Sequence, residues 1–300
     1  MRKFAQFGRR TTADQVLAGI DLTGKRILVT GCNSGLGFET MNALAANGAV
    51  VIGLARSMAG ASQACAAASP ACIPVACDLT DFNSIAAALG AVRDLSIPLD
   101  AIVANAGVKN LPLQTRYGVE MHFLANYLGH FMLINGLADR LRDHSGRVVL
   151  VSGAASPAQV PAEGIMFDNL DGRRVYEPAA FYAQSKLANA LYAKELSRRL
   201  RSRGICVNSA DPGTARTRLS KGWKMRLFAK TPARAAATQT LLAASPQAED
   251  ITGEYWSNCN ICKGNALLED AVLAKRLWEV SQEILERQRS LGGQSLQQAA

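Results

Sequence analysis

Three hundred residues, 49% hydrophobic and 6% aromatic, suit one large globular domain of helices packed on a sheet. The formal net charge of +9 describes a basic surface. No run of positive charge is interleaved with aromatics as a nucleic-acid motif requires, and no window approaches the roughly 18 continuous apolar residues of a membrane helix.

Thr12-Ala13-Asp14-Gln15 reads as a capping box for a short helix that Gly19 stops. The apolar run 25–30 predicts the first strand, followed by a glycine turn and a helix over 36–47 that ends at Asn47-Gly48. Strand and helix then alternate: strand 49–55, helix 59–68, strand 72–77, helix 83–92, strand 99–105 and a long helix over 119–141. Strand 147–152, helix 179–201, strand 205–210, helix 232–244, a short seventh strand over 254–257 and a helix over 268–288 complete the series. This alternation predicts a doubly wound α/β fold, a parallel sheet of about seven strands with helices on both faces. Continuously apolar strands such as those ending at Thr30 and Asn105 fit burial on both sides. The expected organisation is a basic N-terminal extension (1–20), one Rossmann-like domain (21–290) and a disordered tail (291–300).

In such a sheet a ligand binds beyond the carboxyl ends of the strands. The turn Gly31-Cys32-Asn33-Ser34-Gly35-Leu36-Gly37 lies there, between an apolar strand and a helix. Gly31 allows the tight turn, Gly35 lets the backbone approach a pyrophosphate, and Gly37 permits close helix packing. Arg56 stands where a dinucleotide-binding sheet that prefers NAD(H) carries an acid, so NADP(H) is the preferred cofactor and NAD(H) the second choice. Asp78 and Leu79 are placed for the adenine edge, and Asn105, Ala106 and Gly107 for the floor of the site.

The seven cysteines are odd in number and scattered, which excludes a disulfide framework and fits a reducing, cytoplasmic location. Cys259 and Cys262 have CxxC spacing without a second pair or a nearby His, so no metal site is expected.

Together, TGCNSGLG (30–37), CDL (77–79), NAG (105–107), NYLGHF (126–131), YAQSK (182–186) and DPGT (211–214) resemble the short-chain dehydrogenase/reductase family over about residues 20–265. TTADQVLAGIDLTGK (11–25), SKLANALYAKEL (185–196) and GEYWSNC (253–259) resemble its retinol dehydrogenase and WW-domain oxidoreductase branch. The resemblance implies hydride exchange between a nicotinamide and an alcohol or a carbonyl. It implies Tyr182 as general acid/base, Lys186 as its partner and ribose ligand, and Asn126 as the residue ordering a proton-relay water. It adds Pro212, Gly213 and Thr214 to the cofactor contacts. Tyr182 and Lys186 lie one helical turn apart. A cation about 5 Å away, at an effective dielectric near 20, stabilises a phenolate by roughly 3 kcal/mol, which brings the phenol toward neutral pH.

One position departs from the family. Its serine donor to the reacting oxygen falls at Gly153, leaving Ser152 or Ser156 as substitutes. Successive strand side chains alternate, so Ser152 should point away from substrate. A lost donor costs on the order of 10²–10³ in rate. A catalytically weak cofactor-binding module acting through protein contacts, or a C=C or C=N reductase, therefore stand as alternatives. Residues 213–235 are read as a substrate lid; six cations and no acid lie between 214 and 230, with Trp223 and Phe228 interleaved, as for a lipophilic or anionic substrate or a membrane surface. Homo-oligomers through the helices of Asn126 and Tyr182 are the family's habit.

Overall fold

The computed structural model describes residues 6–153, 160–215 and 229–297, with side chains to 291. Eight strands form the main sheet: β1 (Arg26–Thr30), β2 (Val50–Ala55), β3 (Ile73–Ala76), β4 (Ala101–Ala104), β7 (Arg147–Val151), β8 (Cys206–Asp211), β9 (Tyr255–Ser257) and β10 (Asn260–Ile261). Their order is β10-β9-β8-β7-β4-β1-β2-β3. All pairings are parallel except β9 with β10. The order reverses between β1 and β4, the switch point at which such sheets bind ligands.

The sheet has one strand more than expected. Trp256 pairs with Ile261 and Ser257 with Asn260, leaving Asn258 and Cys259 as a two-residue turn at φ +53° and +61°. This is the left-handed geometry of a tight hairpin. A two-residue strand is too short to show periodicity. The same device builds a separate hairpin, β5 (Thr115–Arg116) and β6 (Val119–Glu120), across Tyr117 and Gly118 at φ +58° and +73°. The long helix expected from 119 therefore starts later, at Met121, where the Glu120 carboxylate accepts the amides of His122 and Phe123.

Seven further helices are α1 (Ala13–Leu17), α2 (Gly35–Ala46), α3 (Met58–Ala68), α4 (Phe82–Asp94), α6 (Pro178–Arg199), α7 (Pro232–Ala244) and α8 (Ala271–Gln297). Helix α5 is composite: Met121–Phe123, a π-helical turn over Leu124–Leu128, then Gly129–Leu137. The expected capping box of α1 is present, and α1 packs on α2 and α7, so part of the N-terminal extension belongs to the domain core. Helix α8 continues to Gln297 rather than stopping near 288, which carries helix into the segment expected to be disordered.

Two apolar cores flank the sheet. One joins α4, α5, α6 and α8 through Phe82, Phe123, Leu187 and Trp278; the other joins α1, α2 and α7 through Leu17, Met41 and Leu241. The C-terminal helix is locked down by Trp278, whose ring meets Phe131 edge-on and stacks under the Arg199 guanidinium at 3.9 Å. No helix among the described residues is long and apolar enough to cross a membrane.

Candidate active site

The glycine turn closes the carboxyl end of β1. Gly31 has φ +68°, and a Cβ on Gly37 would come within 2.2 Å of the Gly31 carbonyl oxygen, so only glycine lets α2 start this close to the strand. Helices α1, α3, α4, α6 and α7 each begin with a side-chain cap. Ser34, at the start of α2, makes no such bond. The first amides of α2 are left for an anion, and the helix dipole adds to the attraction. These residues fit a dinucleotide pyrophosphate.

Arg56 is exposed at the end of β2, beside the first turn of α3. Ser57 and Asn33 meet there: a Cβ on Gly60 would lie 3.3 Å from Ser57 Oγ and 3.4 Å from Asn33 Nδ2. Ser57 had escaped the sequence reading. Its signal was an N-cap serine directly after the arginine.

Other expected cofactor residues have structural duties. Asp78 Oδ1 accepts the amide and the hydroxyl of Thr80. The side chain of Leu79 is in the core, and its carbonyl oxygen would lie 2.3 Å from a Cβ on Gly129 of α5. Asn105 donates to the Thr30 carbonyl and accepts from Gln239 of α7, tying β1 to β4 under the cofactor side. Thr30 Oγ1 accepts the amides of Asn105 and Ala106 and meets His130 Nε2 at 2.8 Å. His130 Nδ1 in turn lies 2.8 Å from the Asn126 carbonyl oxygen. Burial pushes the His130 imidazole down to about 4, so it is neutral and passes one hydrogen-bond chain from β1 to Asn126. Thr30, His130 and Gln239 were not legible as site residues, because each acts through long-range partners.

Asn126 lies in the π-helical turn, fully buried. Its Oδ1 accepts the Val108 amide at 2.7 Å, and its Nδ2 donates to the Val108 carbonyl and to Ser185 Oγ. Its own carbonyl accepts from Asn189 Nδ2 at 3.1 Å. Lys186 is buried and donates to the Val151 carbonyl at the end of β7, at 3.0 Å. A Cβ on Gly107 would stand 3.1 Å from Asn126 Oδ1 and 3.5 Å from Lys186 Nζ, which shows how closely the three converge.

The electrostatics overturn one expectation. Lys186 Nζ is 5.9 Å from the Tyr182 ring centroid. Burial, and then the carboxylate of Asp211, push the Tyr182 phenol up to about 12. Burial pushes the Lys186 ammonium down to about 8, against the opposing pull of Asp211. The protein groups around the phenol therefore do not acidify it. Withdrawal from water raises the phenol and lowers the ammonium, and Asp211 adds negative charge that the motif alone does not reveal.

The serine question is answered in part. Ser152 is buried and its Oγ donates to the Ala210 carbonyl, so it faces β8 and not a substrate. Ser156 lies outside the described residues, as do residues 216–228 of the expected lid. Gly153 has φ +119°, a conformation that disfavours a side chain, and its missing Cβ would stand 3.7 Å from Asp211 Oδ1. Gly213 donates its amide to that same oxygen. Lys230 is buried nearby, its Nζ 3.5 Å from a Cβ on Gly213. Cys259 and Cys262 are free thiols, and no group of three or more metal-ligating side chains occurs among the described residues.

A sequence profile of short chain dehydrogenases matches residues 25–165. The WW domain-containing oxidoreductase of Homo sapiens is 34% identical over 307 residues, covering 95% of this chain and 73% of that protein. Retinol dehydrogenase 11 of Homo sapiens is 32% identical over 281 residues, covering 89% of this chain and 87% of that protein. Among solved structures, that of an uncharacterized protein from Mycobacterium paratuberculosis is similar with a TM-score of 0.75 and 30% identity, covering 92% of this chain and 97% of that one.

Proposed function

The chain belongs to the short-chain dehydrogenase/reductase family and is an NAD(P)-dependent oxidoreductase; from that premise we propose that it uses NADP(H) to reduce a ketone or aldehyde, with Tyr182 as the proton donor. One observation carries the reading: Tyr182, Lys186 and Asn126 converge beyond the ends of β4 and β7, beside an α2 that starts without a side-chain cap.

The first amides of α2 would hold the pyrophosphate. Arg56, with Ser57 and Asn33 beside it, would take the 2′-phosphate through charge-assisted hydrogen bonds. Gly107, Pro212, Gly213 and Thr214 would hold the nicotinamide end. When bound, the nicotinamide supplies the hydride. A phenol pushed up to about 12 keeps its proton at neutral pH and would serve as the acid in carbonyl reduction. Lys186, protonated below about 8, stabilises the phenolate left behind. Asn126 fixes the backbone at Val108 and, through Ser185, the turn that carries Tyr182.

NADPH consumption with a panel of aldehydes and ketones tests this. Turnover that disappears in Tyr182→Phe, with NADPH affinity kept, supports it. A second reading, a cofactor-binding module with little turnover, is favoured by Gly153, which carries no hydroxyl at the position of the family's serine. Tight NADPH binding without consumption on any carbonyl would select that reading. Pairing of two copies through α5 and α6 has to contend with α8, which already packs across α6.

A further inference from the structure

We propose that Lys109 is a catalytic residue: its ammonium donates to the reacting substrate oxygen in the place left vacant by the absent serine. The proposal rests on the carbonyl-reductase reading above and names a residue that the family motifs do not contain.

Three observations converge. Gly153 itself carries no donor, and among the described residues Ser152, the serine next to it, is turned to Ala210 while the nearby Asp211 carboxylate accepts hydrogen bonds. Lys109 Nζ stands 4.8 Å from the Tyr182 ring centroid, nearer than Lys186 Nζ at 5.9 Å. Any oxygen that takes the Tyr182 proton must lie about 3 Å from that hydroxyl, which is within reach of the lysine's flexible stem. Among the described residues Lys109 forms no ion pair, and the undescribed segments contain no Asp or Glu.

The placement is built rather than incidental, because the backbone on both sides of Lys109 is pinned. Asn126 grips Val108 by its amide and its carbonyl. Two residues after Lys109, the Leu111 amide donates to His122 Nε2 at 3.3 Å, and its carbonyl accepts Tyr176 Oη–H at 2.8 Å. His122 is fixed in turn by buried Glu120, Nδ1 to Oε1 at 2.7 Å. Its ring packs edge-on to Tyr182 at 6.2 Å. One network thus holds both the loop bearing Lys109 and the phenol beneath it. Lys109 is also one of the groups that lower the Lys186 ammonium, as a second cation at the same phenol should.

In the step, the carbonyl carbon gains the hydride supplied by the reduced nicotinamide and the oxygen gains the Tyr182 proton. Lys109 keeps its protons and offers a charge-assisted hydrogen bond to the oxygen as negative charge grows there. The test compares wild type, Lys109→Met and Lys109→Arg with the best carbonyl of the panel. Lys109→Met should lower kcat by about 10²-fold, leave the NADPH Kd within about threefold and the melting temperature unchanged, and raise the isotope effect with 4-deuterated NADPH as hydride transfer becomes limiting. Lys109→Arg should recover part of the rate. A kcat within about threefold of wild type in Lys109→Met overturns the proposal, as does a loss matched by weaker NADPH binding or a lower melting temperature. Wild type that reduces no carbonyl overturns both this proposal and the reading beneath it, whereas wild-type turnover that survives Lys109→Met overturns this one alone.

Discussion

Asn126 holds Val108 by both of its backbone groups, accepting the amide at 2.7 Å and donating to the carbonyl at 3.1 Å. The asparagine is in a π-helical turn of α5 and the valine in the loop after β4, so a helix irregularity is what aims the amide at the loop. Asn126→Ala should remove the partner of both the Val108 amide and the Val108 carbonyl, in a partly buried place. We expect a loss of about 1–3 kcal/mol in urea unfolding and a fall in kcat larger than the change in KM. Unchanged stability with wild-type kcat would show that the clamp is dispensable.

Lys186 sets the expected pH dependence. Its ammonium, held near 8, is the charge that supports a Tyr182 phenolate, so kcat for carbonyl reduction should be level at neutral pH and decline as pH rises through about 8. Tyr182, near 12, contributes no limb in that range. A pH–rate profile showing a rise through pH 8 would contradict this assignment.

The same lysine should destabilise the fold. Its folded value, about 8, lies below the ordinary 10.5, so the unfolded chain binds the proton more tightly. Native stability should therefore rise with pH between about 8 and about 10.5, and the cost is fully present below 8. Lys186→Met should raise stability at pH 7 by roughly 1–3 kcal/mol while abolishing turnover. Thermal melting of the two proteins checks the sign.

Arg56 is exposed beside Ser57, and Ser57 and Asn33 both border Gly60, so on the proposed reading Arg56 would pair with a 2′-phosphate. Arg56→Ala should weaken NADPH by about 10–100-fold, the worth of about 1.5–3 kcal/mol of charge-assisted hydrogen bonding, and leave NADH nearly unchanged. Equal losses for both cofactors in fluorescence titration would remove Arg56 from the 2′-phosphate.

Gly37 has no room for a methyl group, since its Cβ would stand 2.2 Å from the Gly31 carbonyl. Backbone atoms line that space and cannot rotate aside. Gly37→Ala should push α2 off β1, lowering stability by about 1–3 kcal/mol and weakening NADPH binding at least tenfold. Calorimetric titration together with a melting curve measures both.

Local pattern carried much of this protein. Apolar runs bounded by glycine turns placed the strands and helices of the domain, because a strand covered on both faces must be apolar throughout. The i, i+4 spacing of Tyr182 and Lys186 put the pair on one helix face before any coordinates. The strand β10 and the start of α5 are not legible in the sequence, because two-residue strands carry no period and are set by left-handed backbone at Asn258, Cys259, Tyr117 and Gly118.

The charge state of the site was beyond the sequence. Which groups are withdrawn from water, that Asp211 lies near Tyr182 and Lys186, and that Ser152 turns toward Ala210 are facts of packing between segments far apart in the chain. Sequence alone determined the elements, the cofactor turn and the Tyr182–Lys186 pair, since these follow from spacing within one helix or one strand–turn–helix unit. Only the tertiary structure decided the protonation of that pair and its neighbours Lys109 and Asp211, because solvation and Coulomb energies depend on distances and burial that no local period encodes.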